Sequence, residues 1–191
     1  MADISSKLSF AISYGLSDGN LHSQKLRKQL TESGFIPASL QVADIVIAHS
    51  AGCWLIPEGA APRLVIYVGM CLNNDRPANT WRKNFSMIIK QRPWNYVFNI
   101  LPKNIFYFLV GPLRNINIIR KAKYLQPIIF SNIPAIFIAN RYDPWPQDSK
   151  LNEYLKRKTW TFISLPGTHY DIWDNPTRYV EIIKHHARLL D

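Results

Sequence analysis

Hydrophobic residues along this chain form short, nearly continuous runs, and stretches with helical spacing lie between them. Continuous apolar runs are typical of parallel strands that are buried on both faces of a sheet. The predicted strands cover residues 7–15, 44–49, 63–70, 134–139 and 159–165. The predicted helices cover residues 22–33, a short stretch from Ala51, residues 148–157 and residues 176–190. Because strands and helices alternate, we predict an α/β fold in three layers, with a mainly parallel sheet between two layers of helices.

The composition is that of one folded domain. The chain has 191 residues, of which 47% are hydrophobic and 19% are charged, so we expect a single domain over residues 1–191. Cys53 and Cys71 lack metal-ligand spacing, and we expect both to be reduced, with no metal or other cofactor. The N-terminal residues lack the basic and apolar regions of a secretory signal. The longest apolar stretch, residues 96–113, is interrupted by a proline and a lysine and makes a poor membrane span. We therefore expect a cytoplasmic protein.

Positive charge is concentrated in one segment. The formal net charge at pH 7 is +10, and residues 76–123 contain many Lys and Arg but no Asp or Glu. The same segment is rich in aromatic residues. We interpret it as a lid or cap whose aromatic side chains cover a pocket and whose charges face water. Contact with an anionic membrane surface is a further expectation, since Lys and Arg are attracted to anionic lipid. Binding to nucleic acid is disfavoured, because no recognition module is legible in the sequence.

A serine stands at the junction between a predicted strand and a predicted helix, in the segment "DIVIAHSAG". Ser50 has Ala48 two residues before it and Gly52 two residues after it, which is the small-x-Ser-x-small pattern of a nucleophile elbow. Larger side chains at those two positions would collide with neighbouring backbone. The Ala51 N–H, at the start of the helix, is a candidate donor to an oxyanion. In the alternative interpretation Ser50 is simply the N-cap of the helix.

Candidate partners for this serine follow two other predicted strands. Asp143 comes directly after the strand at 134–139, and His169 comes directly after the last strand. A nucleophilic serine needs a base to take its proton and a carboxylate to orient that base. The chain order Ser, Asp, His, with each residue after a different parallel strand, is the order found in α/β hydrolases. Asp171 and Asp174 are alternative carboxylates for the histidine, although Asp174 better fits the N-cap of the last helix.

The three segments around these residues resemble those of compact α/β-hydrolases. "AHSAG" is similar to their nucleophile elbow, "ANRYDPWP" to their acid loop and "LPGTHYD" to their histidine loop. The resemblance spans about residues 7–190. It implies a reduced α/β-hydrolase fold, in which residues 76–123 stand where the family inserts its lid or cap.

The chain departs from this family near its N-terminus. One strand and one helix precede the elbow region, and residues 35–43 leave little room for another full strand and helix. A His-Gly-Gly run, which would supply the second oxyanion donor, is also missing. The Leu16 N–H follows the first strand at the matching place, with Gly15 giving backbone freedom, and is our candidate for that donor.

The resemblance implies a serine hydrolase that cleaves a small-molecule or lipid-like carboxylic ester through an acyl-enzyme. Thioesters and amides stay open as substrates, because the triad does not choose among leaving groups. The alternative function is a degenerate hydrolase fold that acts as a binding or interaction module. Trp173 is a further aromatic candidate for an acyl pocket, and His49 fits a packing role better than that of a base. Our candidate substrate-binding residues are Gly15, His49, Trp54 and Trp145.

Overall fold

A computed structural model describes residues 8–15, 22–70, 132–141, 143 and 160–190 of the chain. Several predictions concern residues outside these ranges. They are the lid or cap at 76–123, the helix at 148–157, and the individual residues Leu16, Cys71 and Trp145.

The described residues form a six-stranded sheet in which every neighbouring pair of strands is parallel. The strand order is β2-β1-β3-β4-β5-β6. The strands are β1 (Ser9–Ser13), β2 (Ile36–Pro37), β3 (Ile45–His49), β4 (Leu64–Val68), β5 (Ala135–Asn140) and β6 (Trp160–Leu165). The predicted α/β class and the mainly parallel sheet are therefore confirmed.

Strand β2 is the one strand of this sheet that the sequence did not predict. It has two residues, and both are exposed, so it carries no apolar run. Its place is set by pairing with β1, in which the Ile36 N–H donates to the Leu8 carbonyl at 3.0 Å. Residues 35–43, which leave little room for another full strand and helix, thus hold a minimal strand at the sheet edge.

Alternate residues of the strands point to opposite faces of the sheet and enter two separate cores. One core includes Phe10, Ile47 and Ile66, and the helices α1 (Gln24–Glu32) and α3 (Pro176–Ala187) pack on this face. The other core includes Val46, Tyr67 and Phe137, together with Cys53 from the short helix after β3. Burial on both faces explains why β1, β3, β4 and β5 read as continuous apolar runs.

The helices follow the predicted positions with different ends. The segment after β3 is a 3₁₀ helix, Ser50–Leu55, which stops two residues before Pro57, consistent with the short helix predicted there. A four-residue helix, α2 (Asp171–Asp174), was not predicted. Asp174 ends α2, and Asn175 occupies the N-cap position of α3, so the predicted N-cap role of Asp174 is wrong.

The described residues contain neither a membrane-spanning helix nor a cluster of metal-ligating side chains. None of the described helices is long and apolar enough to cross a membrane. Across the same residues, no group of three or more His, Cys, Asp or Glu side chains is arranged to hold a metal ion.

Candidate active site

The backbone at Ser50 has an uncommon conformation. Its φ of 53° makes it the one non-glycine residue with a positive φ among the described residues. A non-glycine residue in this region usually marks a turn that the surrounding structure enforces. Ser50 is the first residue of the 3₁₀ helix, and His49 occupies the N-cap position. Ser50 is therefore at a sharp strand-to-helix turn and is not the N-cap of the helix.

Small residues surround this turn because neighbouring backbone leaves no room for side chains. A Cβ atom added to Gly52 would lie 2.2 Å from the Ser13 carbonyl oxygen. One added to Gly15 would lie 2.9 Å from the Ser50 Cβ atom. Ser13, at the end of β1, also donates its hydroxyl proton to the Gly52 carbonyl at 2.6 Å. Gly15 therefore lies directly against the serine, and both glycines allow close packing at the elbow.

His169 and Asp143 are in direct contact. The His169 Nδ1 atom lies 2.8 Å from the Asp143 Oδ2 atom, and each side chain is 4% exposed. Because a carboxylate can only accept, Nδ1 carries the proton in this bond. The Asp143 backbone N–H donates to the Asn140 carbonyl at 2.9 Å, which closes a turn directly after β5. The acid loop thus presents its carboxylate to the imidazole.

The two alternative carboxylates are placed differently. The Asp171 carboxylate accepts hydrogen bonds from Asn175 Nδ2 at 2.7 Å and from the Tyr179 hydroxyl at 3.1 Å. Asp174 is exposed at the end of α2. Among the three aspartates that the sequence offered, the one bonded to the His169 ring is Asp143.

Ser50 lies at the same edge of the sheet as this pair, and its neighbour His49 contacts His169. The ring of His49, the residue before Ser50, lies 4.7 Å from the His169 ring between centroids. The His49 Nε2 atom also lies 2.8 Å from the His169 carbonyl oxygen, so Nε2 donates its proton. Ser50, Asp143 and His169 follow β3, β5 and β6, whose carboxyl ends share one edge of the parallel sheet. α/β proteins place their sites at this edge.

Gly69 is a residue of this site that the sequence reasoning missed. It follows β4 with a φ of 56°, and its N–H donates to the Ile138 carbonyl at 3.0 Å. A Cβ atom added there would lie 3.0 Å from both Asp143 Oδ2 and His169 Nδ1. A glycine directly after an apolar run was the available signal.

Among the candidate substrate-binding residues, His49 and Trp54 have different surroundings. His49 is fully buried, so it lies beneath the site and exposes no surface to a substrate. Trp54 is half-buried and packs against the core that contains Phe137. Trp173, the further aromatic candidate, is buried in the other core, with its ring 4.9 Å from the His49 ring in an edge-on arrangement. Trp145 and Leu16 lie outside the described residues.

Comparison with known proteins gives structural relatives only. No family model matches the chain, and no curated protein matches it in sequence. A thermophilic esterase from Thermogutta terrifontis superposes with a TM-score of 0.62 at 10% identity, covering 96% of this chain and 90% of that chain. An esterase from Pyrococcus furiosus gives 0.61 at 12% identity, covering 98% and 83%. The thioesterase RedJ from Streptomyces coelicolor gives 0.59 at 14% identity, covering 96% and 86%.

These relatives all have one fold, the α/β-hydrolase fold. The match extends over nearly the whole chain, and the mainly parallel sheet with its helices agrees with it. The chain therefore has the α/β-hydrolase fold, as the three sequence segments implied.

Proposed function

We propose that this protein is a serine hydrolase that cleaves carboxylic esters through an acyl-enzyme. The observation that carries the proposal is the buried His169–Asp143 pair at the same sheet edge as Ser50, whose backbone is held at positive φ. Esterases and a thioesterase among the structural relatives support the broader class of hydrolase.

In the proposed reaction Ser50 Oγ attacks the acyl carbon while His169 Nε2 takes the hydroxyl proton. Nε2 is the nitrogen for this task because Nδ1 is bonded to Asp143. The carboxylate keeps the imidazole in this tautomer and stabilises the imidazolium that forms. Collapse of the tetrahedral intermediate releases the alcohol, which receives its proton from Nε2. Water, deprotonated by the same nitrogen, then attacks the acyl-enzyme and frees the acid and the serine.

The developing oxyanion needs hydrogen-bond donors that are already in place. The Ala51 N–H, at the start of the 3₁₀ helix, is the proposed first donor. The Leu16 N–H is the proposed second donor, and its neighbour Gly15 packs against Ser50. Removing one such donor typically lowers the rate by about a hundredfold to a thousandfold.

A fluorophosphonate probe tests the proposal, because only an activated serine reacts with it. We expect covalent labelling of the wild type, with the adduct located on Ser50 by mass spectrometry. Ser50→Ala should lose the label and should lower turnover of p-nitrophenyl butyrate by about a thousandfold or more. Its melting temperature should stay near that of the wild type, since alanine changes only one hydroxyl.

Ser39→Ala is the matched control, because Ser39 is an exposed serine that follows the edge strand β2, which β1 separates from β3 and Ser50. This variant should keep both labelling and turnover. Equal turnover by Ser50→Ala and the wild type would reject the nucleophile. A folded wild type that neither reacts with the probe nor hydrolyses esters would favour a binding module instead.

A further inference from the structure

The loop that carries His169 is held by side chains from three other elements. The Pro166 carbonyl accepts from Arg178 on α3, and the Thr168 carbonyl accepts from Asn140 Nδ2 at 2.8 Å. The His169 carbonyl accepts from His49, as described above. The loop is therefore fixed at several carbonyls, and each bond comes from a different part of the fold.

Asn140 differs from the other two residues because it also holds the acid loop. It is the last residue of β5 and is 1% exposed. Its backbone carbonyl accepts the Asp143 N–H, and its side-chain amide donates to the Thr168 carbonyl. The amide orientation is fixed, because a carbonyl can only accept and Nδ2 must face it. The Oδ1 atom then accepts the Tyr179 hydroxyl proton at 2.8 Å and shares it with the Asp171 carboxylate at 3.1 Å.

We propose that Asn140 is a positioning residue that ties the acid loop to the histidine loop and so fixes the Asp143–His169 contact. This inference rests on the proposed hydrolase function. Both loops leave the sheet separately, and their side chains meet at 2.8 Å. A misplacement of about 1 Å can lower a rate by about a hundredfold. One buried residue that is bonded to both loops limits such movement.

The groups around Asn140 keep its hydrogen-bond donor Tyr179 protonated. Burial and the Asp171 carboxylate raise the pKa of Tyr179 above its ordinary value, so the phenol stays protonated and donates. Arg178 lies 3.5 Å from the same carboxylate. On the other side, Asp143 and His169 are the groups that Asn140 connects. A carboxyl placed at residue 140 would thus share the Tyr179 hydroxyl with the Asp171 carboxylate.

The substitution Asn140→Asp tests the inference because it replaces only the Nδ2 donor. A protonated carboxyl can still donate to the Thr168 carbonyl, whereas a carboxylate repels it. Burial and the nearby Asp171 carboxylate raise the pKa of such a group. The ratio of the variant's kcat to that of the wild type should therefore fall as pH rises. We expect a decrease of about tenfold to a hundredfold, with KM little changed.

Tyr179→Phe is the matched control, since it also removes a buried hydrogen bond of Asn140 but leaves the bond to Thr168. Its kcat relative to the wild type should not vary with pH. A flat ratio for Asn140→Asp as well would overturn the proposal. If Asn140→Asp does not fold, Asn140→Ala, which only removes atoms, replaces it. That variant should have a lower kcat at every pH, and an unchanged kcat would contradict the proposal.

Proton NMR gives a readout that does not depend on hydrolysis. The low-field resonance of the His169 Nδ1 proton, identified by its loss in His169→Gln, reports the bond to Asp143. In Asn140→Asp this resonance should weaken as pH rises, while in the wild type and Tyr179→Phe it should persist over the same range. If the wild type has no esterase activity but the resonance still weakens with pH in Asn140→Asp alone, the positioning role is supported and the proposed function is rejected. An intact resonance in Asn140→Asp at all pH values would overturn the positioning role.

Discussion

The residue after β4 determines how much space the Asp143–His169 pair has. Gly69 combines a positive φ with a missing Cβ atom that would lie 3.0 Å from both partners. In Gly69→Ala the added methyl group should push the carboxylate and the ring apart. We expect kcat for p-nitrophenyl butyrate to fall by about tenfold to a hundredfold. Steady-state kinetics at several substrate concentrations would separate this loss from a change in KM.

Gly34→Ala is the control for the backbone effect of that substitution. Gly34 follows α1 with a φ of 94°, and a Cβ atom there would have nothing within 4 Å. Both variants place alanine in the left-handed region, which costs about 1–2 kcal/mol. Both should therefore unfold at lower denaturant concentration, but Gly34→Ala should keep its kcat. A Gly69→Ala protein with wild-type kcat would show that the pair tolerates a methyl group.

The positions of Ser50, Asp143 and His169 could be predicted because each lies within four residues of the end of a predicted strand and is a residue type that a catalytic triad uses. The roles of two other residues at the site could not be predicted in this way. Gly69 acts through the space beside two side chains that are distant in sequence. Asn140 acts through a bond to Thr168, 28 residues further along the chain. Both residues directly follow an apolar run in the sequence, but their contacts depend on how the loops meet, which the local pattern of residues does not show.

At the scale of elements, long buried strands could be predicted and short exposed elements could not. Strands β1, β3, β4 and β5 contain apolar runs because nearly all of their residues are buried, whereas in the edge strand β6 only Trp160 is buried. Strand β2 has two residues and helix α2 has four. Both are too short to show the hydrophobic periodicity that identifies a strand or a helix in a sequence. Both depend on their neighbours, β2 on pairing with β1 and α2 on packing of Ile172 in the core.

One carboxylate joins two neighbouring strands at the edge of the sheet opposite the site. Asp44 precedes β3, and its Oδ2 atom accepts the Ser9 N–H at 2.8 Å and the Ser9 hydroxyl at 2.6 Å. Burial alone would raise the Asp44 pKa, but the bonds from Ser9 and the charge of Arg63 together lower it below its ordinary value of 3.8. The folded state therefore favours the ionised carboxylate.

A lowered pKa makes a definite prediction for stability against pH. The contribution of the Asp44 carboxylate should be fully present above pH 3.8 and should be lost as pH falls through the lower pKa of the folded state. Asp44→Asn has the same shape but does not titrate there. In urea unfolding, the difference in free energy of unfolding between the wild type and Asp44→Asn should thus become smaller below pH 3.8.

Ser9→Ala provides the matching test from the other partner, since it removes the hydroxyl bond and keeps the backbone bond. The fall in stability of Ser9→Ala below pH 3.8 should be smaller than that of the wild type. A difference between wild type and Asp44→Asn that stays constant with pH would contradict the link between this carboxylate and folding.

At the scale of the whole molecule, the net charge of +10 is the property with the clearest consequence. Residues 76–123 carry ten positive side chains and no negative ones. This equals the net charge of the whole chain, so the positive and negative side chains of the remaining residues balance. The ten are Arg76, Arg82, Lys83, Lys90, Arg92, Lys103, Arg114, Arg120, Lys121 and Lys123. We predict that this segment binds anionic membranes, since each Lys or Arg near an anionic leaflet contributes about 1 kcal/mol.

Sedimentation with vesicles tests this prediction. The protein should sediment with vesicles that contain phosphatidylserine and should not sediment with vesicles of phosphatidylcholine alone. Binding should weaken steeply as salt is added, because the screening length falls from about 10 Å at 0.1 M to about 3 Å at 1 M. Binding that is equal on both vesicles, or that is unaffected by salt, would indicate insertion of apolar side chains instead of charge attraction.

Two double variants, each of which removes two positive charges, distinguish attraction by the basic segment from attraction by the total charge of the molecule. Lys83→Gln with Lys90→Gln changes the basic segment, whereas Lys25→Gln with Lys28→Gln changes exposed residues of α1. The first should weaken vesicle binding by about thirtyfold, since two contacts of about 1 kcal/mol are lost. The second should bind nearly as the wild type does. If both variants weaken binding equally, the attraction follows the total charge, and the segment has no special part in it.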